Sequence, residues 1–328
     1  MSKITRREVI TGILASSAGA LTINQTIFAK TGAKNKPAGV TRALTTAEIT
    51  AIETAIGKKG KYVEAENVYT VPLPRNDLKV SIKGEAVPIS FGFGGWVSIK
   101  KTLDGKSAVL MSDTVLLQEE VNTLISAAQG NNLEISAIHN HFFYEEPRIF
   151  YMHLHGMGDV ATLAKNYAAA IKTTKLFPAN QPPPPTPPTR TAKEIFDLPA
   201  LDKIVGATGA VNGITYKYTI GRTNQTIMAM GAEMTANIGL NSWAAFAGTP
   251  EAAHIAGDIA MLEGEVNNVI RSLRSHNLEV VALHHHMLGD TPKIIFLHYY
   301  GHGEAAKLAT GFRATMNELG KKNETMKM

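Results

Sequence analysis

The feature that most constrains this chain is a duplication. Residues 108–174 align without a gap to 253–319, and 22 of the 67 positions are identical. The likeness reads directly in EVNTLISAAQGNNLEISAIHNHFFYEEPRIFYMHLHGMGD against EVNNVIRSLRSHNLEVVALHHHMLGDTPKIIFLHYYGHGE. With small gaps it extends upstream, pairing Trp96 with Trp243, Gly84 with Gly231 and Arg75 with Arg222. Whatever one copy folds into, the other must fold into as well. Residues 44–175 are expected to form the first copy and 190–320 the second. Between them, residues 176–189 hold seven of the fifteen prolines. Such a run favours extended polyproline II and reads as a semi-rigid linker.

Within a copy, Lys79–Ile82, Trp96–Ile99 and Ala108–Met111 read as strands. Leu116–Ala128 has helical spacing, with Ser112, Asp113 or Thr114 before it as a cap, and by equivalence Asp258 in the second copy. Leu133–Phe142 and Ile149–His155 read as a hairpin, and Gly158-Asp159 opens a last helix to about Ile171. The order is β-β-α-β-β-α, twice. The fold class expected is α+β, with antiparallel sheets and helices on one face of each. At 44% hydrophobic, 19% charged and a mean hydropathy of −0.04, the chain can fill two cores of ordinary size.

Nine of the eleven histidines fall in or just after the two hairpins. His139-Asn-His141 is followed by His153-Leu-His155, and His284-His-His286 by His298. Alternation along a strand puts His139 and His141 on one side and His153 and His155 together on the next strand. If Phe143 pairs with Ile149, His139 lies opposite His153, and three imidazoles converge. An H-x-H strand beside a strand with a third His is a rigid ligand set. His139, His141 and His153, with His284, His286 and His298, are therefore the expected ligands of one or two transition-metal ions, zinc before copper or iron. The bland alternative is a set of core histidines bonded to carbonyls and carboxylates; two copies of the pattern favour a metal or another polar ligand. The sequence does not choose between two separate sites and one shared by both copies.

Glu145 and Asp290 occupy equivalent positions after the H-x-H strands. Glu145 is the candidate catalytic base for a metal-bound water, although a polar turn residue is the favoured reading of both. Asp113 and Asp258 read as helix caps rather than acids. Phe91-Gly-Phe-Gly-Gly-Trp96 has neither the P-loop nor the dinucleotide spacing, and no Gly-x-Ser-x-Gly elbow occurs. With no cysteine, disulfides, thiolate nucleophiles and thiolate metal sites are excluded.

The formal charge is +5, and two of those charges belong to the N-terminal segment, where Lys3, Arg6 and Arg7 face Glu8. Without a basic block interleaved with aromatics, nucleic acid is not an expected partner. Arg6-Arg7 before a short apolar run resembles a twin-arginine export signal over residues 1–29, with Ala29 or Ala20 as the cleavage point. The apolar run is too short to span a bilayer. A soluble periplasmic or secreted protein is expected, meeting the export machinery transiently.

At Asn132–Phe142, Asn277–Met287 and Glu146–His153 the chain resembles the LppY/LpqO family, a group of exported bacterial proteins carrying a domain of unknown function. The resemblance also covers Leu78–Trp96 and both helices. It implies export and a tandem architecture, and it brings no established reaction. The chain departs from the family's lipoproteins in lacking the cysteine for a lipid anchor, and His285 replaces the Asn seen at Asn140. Three functional readings follow: a metal-dependent hydrolase or lyase, a non-enzymatic module for a metal or small ligand, and a scaffold without metal.

Overall fold

The computed structural model describes residues 41–321; the twin-arginine-like segment, residues 1–29, lies outside them. The first copy comprises α1 (Thr46–Ile56), β1 (Lys61–Val63), β2 (Val68–Pro74), β3 (Val80–Ile82), β4 (Glu85–Val87), β5 (Gly94–Lys101), β6 (Ala108–Leu117), α2 (Gln118–Gly130), β7 (Glu134–His139), β8 (Glu145–Glu146), β9 (Ile149–Gly158) and α3 (Val160–Ile171). The second comprises α4 (Leu198–Val205), β10 (Ala210–Asn212), β11 (Thr215–Gly221), β12 (Ile227–Ala229), β13 (Ala232–Met234), β14 (Asn241–Gly248), β15 (Ala253–Leu262), α5 (Val266–Ser275), β16 (Glu279–His284), β17 (Ile294–Gly303) and α6 (Ala305–Met316). Each copy builds an antiparallel six-stranded sheet, in the orders β1-β2-β5-β6-β9-β7 and β10-β11-β14-β15-β17-β16. The α+β class, the duplication and the antiparallel sheets are as expected. Each sheet is larger than expected, because β1 and β2 in the first copy, and β10 and β11 in the second, add to it at one edge.

Alternation along β6 and β9 decides what each face meets. Ala108, Leu110, Leu116, Met152 and Leu154 turn toward α1, α2 and α3, whose Ile52, Leu124, Leu163 and Tyr167 complete one core. The second copy repeats this with Ile255, Ile259 and Leu297 beneath Val205, Leu273 and Phe312. The opposite faces of the two sheets pack against each other. Val80, Ile82 and Val87 of the first copy join Ala245, Ala256 and Tyr300 of the second. Reciprocally, Ile227, Ala229 and Met234 pack on Val68, Val109 and Met111. The layers are therefore helix, sheet, sheet, helix, and each copy's short hairpin covers the other copy's sheet. Burial of these apolar faces on both sides is the main stabilising term.

The expected helix cap is not one. β6 continues through Asp113 to Leu117, and α2 begins only at Gln118. There the Leu117 N–H donates to the Glu120 carboxylate (2.8 Å), which also accepts from the fully buried Arg75 (2.7 Å). Arg222 and Glu265 repeat the brace in the second copy (2.8 Å). The helix start is thus satisfied by a carboxylate inside its own first turn, and Asp113 is left mid-strand.

Candidate metal centre

The hairpin register differs from the expected one by two residues. Ala137 lies opposite His153, and His139 opposite Tyr151, with a bulge between Ile135 and Ala137. The cause is the loop: Glu145 and Glu146 pair with Ile82 and Ser81 of β3, so the chain after His139 is drawn away before β9 begins. Parity is preserved, so His139, Tyr151 and His153 still face the other sheet. The second copy does the same, with Ala282 opposite His298 and His284 opposite Phe296.

Because both histidine-bearing faces meet, all six histidines form one buried cluster, each 8% exposed or less. His139 and His284 stack across the interface with ring centroids 3.8 Å apart. His141 lies 3.6 Å from His298, and His153 lies 4.2 Å from His286. These distances mark a pseudo-twofold axis between His139 and His284. Two groups have ligand atoms all within 4.8 Å of one another: His139, His284 and His298, and His153, His284 and His286. His284 belongs to both.

Asp113 and Asp258 complete the cluster. Asp113 sits directly opposite His153 on β9 and Asp258 opposite His298 on β17. Asp258 is 1% exposed and brings Oδ2 to 3.1 Å from His286 Nε2, 3.8 Å from His298 Nε2 and 3.9 Å from His284 Nε2. Asp113 Oδ1 is 3.9 Å from His153 Nδ1. Sequence reasoning missed both by reading them as caps. The signal was present in the alternation Val109, Met111, Asp113, Val115, all on the inter-sheet face.

Hydrogen bonding fixes three of the rings. Nδ1 of His153, His298 and His286 lies 3.2, 3.1 and 2.9 Å from the carbonyl oxygens of Ser112, Gly257 and Gly239. A carbonyl only accepts, so each Nδ1 carries the hydrogen and each neutral ring keeps a bare Nε2 lone pair. Burial holds the rings neutral: it pushes all six well below the usual range, His286 to about 3 and His298 to about 4, and neighbouring imidazoles add to the effect for all but His286. Burial pushes Asp258 up to about 6, against the pull of His298, and raises Asp113 well above its usual value with the Asp258 charge adding to it. Lys217, whose ammonium lies 4.2 Å from the Trp243 ring centroid, is brought down to about 8 by burial while both aspartates pull it up.

What remains is a surplus of unpartnered polar atoms. Both ring nitrogens of His139, His141 and His284, and Nε2 of His153 and His298, are buried without a hydrogen-bond partner, as are Asp113 Oδ1 and both Asp258 oxygens. Leaving a buried polar atom unpaired costs about 1–3 kcal/mol. Eight ring nitrogens at that rate come to on the order of 10 kcal/mol, comparable with the whole stability of a domain, about 5–15 kcal/mol. Where His286 Nε2 faces Asp258 Oδ2, a lone pair meets a lone pair. Only a proton or a cation between them makes that contact favourable.

Glu145 is placed differently. Its Oε1 accepts the Ile149 N–H at 3.3 Å, and Asp290 accepts the Ile294 N–H at 2.6 Å. Both carboxylates brace their loops, and Glu145 belongs to neither histidine group. Burial raises its pKa.

A family model for a domain of unknown function, DUF1259, matches the chain twice, over residues 50–173 and 199–318. The chain belongs to that family. Its two matches coincide with the two sheets and their helices. No curated protein matches the chain. Among solved structures, the crystal structure of EtuB from Clostridium kluyveri is similar at 12% identity, over 69% of this chain and 88% of that one, with a TM-score of 0.18. At that score the likeness carries no argument. Among the described residues, no helix is long and apolar enough to cross a membrane.

Proposed function

We propose that this DUF1259 protein binds one or two transition-metal ions at the junction of its two copies, through His139, His141, His153, His284, His286 and His298, with Asp113 and Asp258 as further oxygen ligands or charge partners. The observation that carries the reading is the set of bare Nε2 lone pairs, fixed by carbonyls on Nδ1, that face one another and a carboxylate inside the protein. Metal-binding histidines are oriented in this way by a second hydrogen bond. Neutral imidazoles and a carboxylate suit zinc first, and copper or iron after it. An ion there would supply Lewis acidity and a fixed positive charge; the chain's own residues hold it, keep water out and balance its charge.

Burial favours the binding module over the hydrolase. An ion enclosed by imidazoles that are each 8% exposed or less has protein on every side, whereas hydrolysis needs an open position for water. The twin-arginine-like pair and the resemblance to LppY/LpqO support an exported protein. Elemental analysis of untagged protein purified after export tests the reading. At least one equivalent of zinc or another transition metal is expected; its absence would leave a metal-free scaffold.

A further inference from the structure

At the rim of the inter-sheet contact, a third group of ligand atoms lies within 4.8 Å of one another, apart from the two in the interior: Glu85, His254 and His302. His254 on β15 and His302 on β17 are direct cross-strand partners, with ring centroids 4.6 Å apart. Glu85 comes from the other copy, on the β3–β4 hairpin that covers this sheet. Its Oε2 is 3.1 Å from His254 Nε2 and 3.6 Å from His302 Nε2. His254 is oriented from behind, because its Nδ1 lies 2.8 Å from the Tyr300 hydroxyl. A carboxylate only accepts, so without an ion Nε2–H donates to Glu85 and the Tyr300 hydroxyl donates to Nδ1; a cation would replace the Nε2 proton, with Nδ1–H then donating to Tyr300.

The internal duplication supplies a control within the same molecule. The positions equivalent to Glu85, His254 and His302 are Ala232, Val109 and Met157. All three ligand-type residues are present at one pseudo-symmetric place and all three are replaced by apolar residues at the other. Separate surface polarity would have no reason to change together, whereas loss of any one ligand removes the use of the other two.

We propose that Glu85, His254 and His302 form a second site, for an exchangeable zinc-class divalent ion, that clips the first copy's hairpin to the second copy's sheet. Two imidazoles and a carboxylate on separate rigid elements are a zinc-type donor set rather than a magnesium or calcium one. The site is open where the interior is closed: the side chains of Glu85 and His302 are 54% and 38% exposed. Solvent completes the coordination and the ion enters and leaves without unfolding. The proposal does not depend on the interior centre.

The test is a calorimetric titration of Zn2+ into untagged protein dialysed against a weak chelator, beside His302→Met, which installs the residue of the other copy, and Glu85→Gln. The wild type should take up one exchangeable zinc that each variant binds at least about 10-fold more weakly, since losing a ligand costs no less than losing an outer-shell partner, while tightly held metal measured by elemental analysis stays the same. Added zinc should raise the Tm of the wild type and not that of either variant. Identical isotherms in all three proteins, or no uptake by the wild type, overturn the proposal. Uptake by a protein that contains no interior metal supports it and removes only the interior reading.

Discussion

The two copies offer the same backbone oxygen to different donors. In the second copy, Gly239 O accepts from His286 Nδ1 at 2.9 Å. In the first, the equivalent Gly92 O accepts from the Tyr151 hydroxyl at 2.9 Å, and His141 is left with both nitrogens unpartnered. Phe296 stands where Tyr151 does, stacked on His286 as Tyr151 is on His141. One hydroxyl thus decides whether the imidazole at the end of the H-x-H motif is held in a single tautomer. The carboxylates differ in the same sense. Asp258 approaches three histidines within 3.9 Å, whereas Asp113 reaches His153 alone. Duplication has kept the backbone and let the two halves specialise, the second being the better organised to hold a cation.

The largest expected effect is that of acid on the metal-free protein, to which both halves contribute. In the unfolded chain each histidine titrates near 6.5; in the fold His286 and His298 titrate near 3 and 4, and the other four are also lowered. Between those values the unfolded state binds more protons, so stability is full above pH 6.5 and falls as pH drops toward 4. Each such histidine contributes roughly 1 kcal/mol per pH unit. Asp113 and Asp258, raised in the fold, act in the opposite sense but are fewer. Urea denaturation should show a net loss on the order of several kcal/mol between pH 6.5 and 4. Stability that is flat or rises on acidification would mean that the cluster is already protonated, and the cation reading of both halves would go with it.

Next in size is the contrast between His284→Ala and His139→Ala. The two residues are equivalent in sequence and stack on each other, but His284 lies in both three-ligand groups and His139 in one. His284→Ala should abolish stoichiometric metal, and His139→Ala should leave a fraction of it, read by elemental analysis. Equal losses would restore the symmetry that the distances break.

Much of this architecture was legible in the sequence. A period of two fixes which face a strand residue takes, and the six histidines declared a common face before any register was known. Two things were not legible, for physical reasons. Ser112-Asp113-Thr114 has the composition of a helix start, but capping competes with strand pairing, and β6, paired with β9 along all ten residues and with β5 from Ala108 to Asp113, outweighs one cap; the apolar alternation from Val109 to Val115 recorded that outcome. The register of β7 against β9 depends on Glu145 and Glu146 pairing with β3, a contact some 60 residues away in sequence that local pattern does not encode. Nor does periodicity say that two similar faces will pack on each other, which is what turns two triads into one centre.

The smallest effect is the most direct test of the comparison, because it exchanges the hydroxyl that separates the halves. Tyr151→Phe gives the first copy the second copy's residue. It removes a buried hydrogen bond worth about 1 kcal/mol, and it frees Gly92 O for His141 Nδ1, which then becomes as fixed as His286. Metal affinity should rise while stability falls slightly, an opposition that simple damage to the core would not produce. Phe296→Tyr should do the reverse, placing a hydroxyl in competition with His286 for Gly239 O and weakening metal binding by about tenfold. Both are read from competition with a chromogenic chelator, paired with urea denaturation. If both substitutions weaken binding alike, the carbonyl contacts do not set the difference, and the better organisation of the second half would rest on Asp258 alone.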